Sequence, residues 1–312
     1  LAAVNLSDDE EAALVAEMRG VVDPHTLAAF MHLFGMPEAG EEYLLARKWY
    51  ADKGEDRSPH FALFLSDHAR WFSQEGAHHK AAAHYVLARQ IVPDASQAPL
   101  FHIDCWCREA DAHRITGPWS NALDCLDRAQ AIAESYLDHY HPYVAYVQER
   151  RAWAFMDVWR LKDAEQSFRE AILVREAIGA ESSENTDLDN ERSLLHDQHG
   201  LAMNLRYRGQ TTKAIDAYQR LYSRTKPHQR RTQLENSPHA ALFTSRIANS
   251  QFRLADCFLY ASKLNASSAE STLRDARRHY ASLPVHRRGT DEAECLCKLA
   301  FVLALSGLPD QG

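Results

Sequence analysis

Small and large apolar positions return along this chain in a fixed order. Starting at Ala69 the order runs Phe72, Gly76, Ala81, Tyr85, Ala88 and Pro93, at intervals of three, four, five, four, three and five residues. Such intervals describe two amphipathic helices joined by a tight turn, with small residues where the backbones cross and large ones beside the crossing. The order recurs as Ala110, His113, Gly117, Ala122, Leu126 and Ala129, and as Ala152, Phe155, Ala164, Phe168 and Ala171, with Trp159 in the place of the turn glycine. A fourth unit has Ala202, Leu205, Gly209, Ala214, Tyr218 and Leu221, with Pro227 one place later than Pro93 in its unit. A single hairpin of this kind cannot bury its apolar face, so the units are expected to stack on one another as an all-α solenoid.

The flanks follow the same logic less regularly. Residues 25–53 read as a degenerate hairpin broken near Gly35-Met36-Pro37, and the first 20 or so residues as an acidic, capped helix. Past Pro238 a helix to about Ser262 carries Leu254, Ala255 and Phe258, and another over about 267–282 carries Ala269, Leu273 and Ala276. A further helix over Asp291–Ser306 opens a sixth unit. The expected organisation is capping helices and a degenerate hairpin over 1–58, four hairpins over 59–230, and a fifth hairpin with the first helix of a sixth over 231–312. Two segments, Gly179–Asn190 and the Arg-, Lys- and Gln-rich Ser223–Ser237, are expected as loops, and Pro227 as a helix end.

The spacing of small, aromatic and turn residues resembles the tetratricopeptide repeat (TPR) family. Anchors at 69, 110 and 152 are 41 and 42 residues apart, which is similar to the extended repeats of kinesin light chains and of many bacterial and fungal sensor proteins. The third unit, from His141-Pro142 through Ala164-Glu165, Phe168, Ala171-Ile172 and Arg175-Glu176, looks most like that subclass. The resemblance covers residues 60–230 and departs from the family pattern at His113 and Trp159. It implies a right-handed α-solenoid whose first helices line a concave groove.

In that register the groove positions are Arg70 and Ser73; Asp104, Arg108, Asp111 and Arg114; Tyr146, Glu149, Arg150, Trp153 and Met156; and His196, Met203 and Arg206. Arg70, Arg108, Arg114, Tyr146, Arg150, Trp153, Met203 and Arg206 are the candidate partner-binding residues. Arginine forks grip carboxylates and aromatic rings give contact area at low entropic cost, so a protein or peptide ligand with acidic groups is the expected partner. The competing reading is that Asp104, Asp111 and Glu149 pair with these arginines across hairpins. The carboxylate clamp of chaperone-binding relatives needs Lys and Asn where this chain has Cys107 and Asp111, and Glu149 and Trp153, which argues against that ligand.

Composition narrows the remaining classes. Hydrophobic content of 46% and charged content of 25% are those of a folded chain, and a net charge of −8 argues against nucleic acid. The basic run Arg224-Thr-Lys-Pro-His-Gln-Arg-Arg leaves a local nucleic-acid contact as a third reading. Six cysteines at 105, 107, 125, 257, 295 and 297 do not form a secreted disulfide framework, and no signal peptide or membrane-spanning run is present, so the expected location is cytoplasmic. His102, Cys105, Cys107 and His113, with Cys125 nearby, are metal-ligating types, but helical geometry points Cys107 away from His102 and Cys105 and places His113 three turns away. No metal, cofactor or catalytic residue is expected. The leading expectation is a non-enzymatic sensor or scaffold module of a larger protein. The alternative is a regulatory domain that restrains a protease or nucleotide-dependent switch encoded beyond Gly312. Neither the partner nor the oligomeric state is legible.

Overall fold

The computed structural model describes residues 8–19, 21–117, 119–181, 188–234, 240–261, 265–284 and 289–307. Every regular element among them is a helix: α1 Asp8–Met18, α2 Pro24–Leu33, α3 Ala39–Lys53, α4 Pro59–Gln74, α5 His78–Ile91, α6 Pro99–Thr116 and α7 Trp119–Tyr136. These are followed by α8 Pro142–Asp157, α9 Leu161–Glu181, α10 Leu188–Tyr207, α11 Thr211–Leu234, α12 Ala240–Leu259, α13 Ala266–Ala281 and α14 Gly289–Gly307. The described residues form two compact units, one within 8–158 and the other within 159–307. In the first, α2 packs on α3, α4 on α5 and α6 on α7, while α5 leans on α6 and α7 on α8. In the second, each helix from α9 to α14 packs on the next.

Local chemistry starts these helices where the chain pattern predicts. Proline occupies the first turn of α2, α4 and α8, where its missing N–H costs nothing. Just ahead of it, the Asp23, Ser58 and His141 side chains accept from the backbone N–H of Thr26 (3.0 Å), Phe61 (3.1 Å) and Tyr143 (3.2 Å). Asn265 caps α13 in the same way, accepting from Ser268 N–H.

The recurring small residues lie at the helix crossings. Ala69, Ala81, Ala88, Ala110, Ala122, Ala129, Ala202, Ala214, Ala255, Ala269 and Ala276 are wholly buried, and the large partners Tyr85, Leu126, Tyr218 and Leu273 fill the space beside them. At Gly200 the fit is tight enough that an added Cβ would lie 2.3 Å from the Phe168 ring.

The turn glycines also act as read. Gly76 and Gly209 adopt φ of 75° and 70°, and the residues after them close the same turn, Ala77 N–H donating to Phe72 C=O (2.8 Å) and Gln210 N–H to Leu205 C=O (2.9 Å). Trp159, at the equivalent register, takes φ of 58°, alone among the described non-glycine residues. This backbone region costs a side-chain-bearing residue about 1–2 kcal/mol.

The two expected loops are corrected. Residues 179–181 belong to α9 and 188–190 to α10, the stretch between them lying outside the described residues. The basic segment is helical: α11 runs through Pro227 to Leu234, past the expected boundary at 230. Proline removes one ladder hydrogen bond, but tertiary contacts on both sides of it outweigh that loss. Arg224 binds Glu191, the His228 ring stacks on Phe243 at 5.6 Å, Gln229 donates to Thr244 Oγ1 (3.1 Å), and Thr225 and Thr232 are wholly buried. Of the basic residues, Arg224 and His228 are engaged on Glu191, while Arg230 and Arg231 stay exposed.

Candidate functional site

Three first helices of the 8–158 unit, α4, α6 and α8, are joined by a ladder of charge. Arg70 reaches Asp67 (3.2 Å) on its own helix and Asp104 (3.0 Å) on α6. The Arg108 Nε–H lies 2.9 and 2.8 Å from the two Asp104 oxygens. Arg114 bridges Asp111 (3.2 Å) and Asp157 (2.6 Å), and Arg150 on α8 reaches back to Asp111 (2.9 Å), with Glu149 at 3.9 Å. Asp104 thus holds arginines from α4 and α6, and Asp111 holds arginines from α6 and α8.

The ladder has both signs in near balance. Four guanidinium groups face five carboxylates, so the arginine stripe does not present a bare basic surface. Burial opposes the charge on Arg108 and Arg150, but Tyr146 and Asp104 around the first, and Asp111, Tyr146 and Glu149 around the second, more than offset it and raise both pKa values. Tyr146 packs its ring under the Arg150 guanidinium at 4.9 Å and edge-on to Tyr143 at 5.8 Å. Burial pushes its phenol pKa up. Its hydroxyl, with Arg70 Nε and Arg150 Nε, is buried without a hydrogen-bond partner. Trp153 is half-buried on α8.

In the other unit Met203 is half-buried on α10, and Arg206 is locked to Asp256 on α12 (2.6 Å). That carboxylate is fully buried and also receives Lys298 of α14 (2.5 Å) and Arg253 (3.7 Å). Register reasoning picked out the arginines and the central Asp104 and Asp111. It missed Asp67, which shares its groove position with Arg108 and Arg150, Asp157, one place past the last groove position, and Asp256, in the fifth hairpin that the groove reading did not cover.

The metal-ligating types of α6 separate. The buried His102 ring lies 2.6 Å from Val92 C=O, Cys105 contacts Ser66, and Cys107 is fully buried, its thiol pKa raised by that burial. His113 and Cys125 instead meet Glu109, and one donor atom from each of the three lies within 4.8 Å of the others. Among the described cysteines only Cys297 is exposed, and none is in a disulfide. No helix among the described residues is long and apolar enough to cross a membrane.

No protein-family model and no curated protein matches the chain. Solved structures do. A kinesin light chain from Podosopora anserina with nearly identical TPR-like repeats superposes with a TM-score of 0.51 at 18% identity, covering 72% of this chain and 96% of its own. A Rap protein complexed with competence and sporulation factor gives 0.57 at 15%, covering 95% and 80%. The APC/C hetero-tetramer Cut9–Hcn1 gives 0.57 at 14%, covering 92% of this chain and 46% of that one. At these identities the likeness is one of fold, and with the stacked hairpins of each unit it makes the chain an all-α protein of the TPR-like solenoid class.

Proposed function

We propose that the chain is a non-enzymatic protein-recognition module, and that a protein or peptide segment lies along the ladder of α4, α6 and α8. The observation that carries this reading is the unused bonding capacity there: Arg70 Nε, Arg150 Nε and the Tyr146 hydroxyl are buried donors that the fold leaves unpartnered. Such groups cost about 1–3 kcal/mol each unless something satisfies them. Because the arginines already hold carboxylates, a matching segment carries both charge signs: its acidic groups share the guanidinium forks and its basic groups take the released carboxylates. A neighbour of the same fold supports the reading, being a Rap protein complexed with competence and sporulation factor.

The test uses peptides selected on the intact chain from a random display library. Arg70 and Arg108 are the most exposed arginines of the ladder, with side chains 41% and 36% accessible, so Arg70→Gln with Arg108→Gln should preserve helicity. The selected peptides should bind this variant at least about tenfold more weakly, a loss of about 1.4 kcal/mol. Equal affinity for both proteins would remove the ladder as the binding surface.

A further inference from the structure

We propose that Glu109, His113 and Cys125 form a divalent metal site, with zinc as the best-matched ion, tying α6 to α7 inside one hairpin. The three residues are the carboxylate, imidazole and thiolate donors that zinc takes, and three protein ligands leave a fourth position for water. Glu109 and His113 are four apart on α6 and so share a face, with His113 Nε2 3.6 Å from Glu109 Oε1. Cys125 comes from the facing turn of α7, its thiol in hydrogen-bond contact with Glu109.

The repeat pattern supplies an independent reason. Counting the anchor alanine as eight, the trio occupies positions seven, eleven and twenty-three of its hairpin. The fourth hairpin has Leu201, Leu205 and Ala217 at those positions, an ordinary apolar contact. The first has His68, Phe72 and His84, whose rings lie within 5.1 Å of His68. All three positions converge on one spot between two helices. In the second hairpin all three are ligating types, including His113 in the place of the aromatic of Phe72 and Phe155.

The fit to an ion is close. Bonds of about 2.0–2.3 Å in a tetrahedral arrangement hold donors roughly 3.5 Å apart. Donors now within 4.8 Å therefore need to close by only about 1 Å, which side-chain rotation supplies. Glu109 uses one oxygen for the ion and keeps the other on Arg89 (2.5 Å), whose guanidinium stacks on Trp106 at 3.3 Å. An ion-paired outer partner of this sort helps orient a ligating carboxylate. Cys125 and Glu109 are buried and the His113 side chain is 21% accessible, so the ion enters on the histidine side. Binding converts the Cys125 thiol to thiolate and releases one proton to solvent.

Cobalt(II) is the probe, because a thiolate-to-cobalt charge-transfer band reports the cysteine directly. The full chain, with Cys297→Ser to remove the one exposed described thiol, should bind one Co²⁺ with that band, and Zn²⁺ should displace it and raise Tm. Cys125→Ser should lose the band, and His113→Phe, which restores the residue type of Phe72 and Phe155, should fold and lose it too. A protein that shows no band at saturating Co²⁺, or a band that survives both substitutions, would overturn the assignment.

Discussion

Asp256→Asn is the substitution whose consequence follows most directly from the geometry. The wild-type carboxylate is 0% exposed and gathers Arg206 from α10 (2.6 Å), Lys298 from α14 (2.5 Å) and Arg253 from its own helix (3.7 Å). Asparagine keeps the shape, removes the charge, and turns an N–H₂ donor toward at least one of the three cations. Removing one member of a buried pair costs about 3–5 kcal/mol. The three cationic side chains retain accessibilities of 18%, 21% and 24%, so water repays part of their loss and the lower end, about 3 kcal/mol, is expected. For a unit of this size that is a Tm shift of about 6–12 °C. Urea unfolding should show a lowered midpoint at unchanged slope, and amide exchange should accelerate in α10, α12 and α14 while α4–α8 keep their protection. A variant within about 0.5 kcal/mol of wild type would refute the view that Arg206 is held as a brace.

Two further predictions concern stability. Pro227→Ala restores an N–H for the Ser223 carbonyl within α11; the interior-proline cost of about 3 kcal/mol, less the entropy that proline removes from the unfolded chain, predicts a gain of about 2 kcal/mol. Loss of stability in a denaturation midpoint would show instead that Pro227 itself sets the contacts to α12. The second follows from His68, which lies between the Tyr43 and Phe72 rings (4.9 and 4.3 Å) and whose pKa is held down to about 3 by burial and by neighbouring His84. Its folded pKa lies below the unfolded 6.5, so acid protonates the unfolded chain first, and stability falls as pH drops from 6.5 toward 3. At pH 5 this one histidine contributes about 2 kcal/mol of that loss. His68→Phe should flatten the stability–pH curve in this window, and an unchanged slope would disprove the assignment.

The helices were legible because their packing residues are chemically narrow: alanine at a crossing and glycine in a left-handed turn have few substitutes, so period and register survive even at Trp159. The continuation of α11 was not, since Pro227 and a polar composition both signal a loop locally, and only contacts from Glu191, Phe243 and Thr244 decide otherwise. The arginine positions could be read from register, but not what holds them. Which carboxylate lies opposite depends on how successive first helices stagger, a quantity absent from any single repeat. Glu109 was passed over for a related reason. It stands at a position the pattern reserves for packing, and its meaning appears only when His113 and Cys125 are seen beside it.

The ladder of α4, α6 and α8 has one more consequence. Asp104 and Asp111 are each shared between arginines of two successive helices. Drawing one arginine away therefore leaves the next helix's arginine as the sole claimant of that carboxylate and tightens it there. On the proposed binding role, a ligand engaging one rung would change the grip at the following rung without touching it, and neighbouring contacts on the ladder should be non-additive in double-mutant cycles.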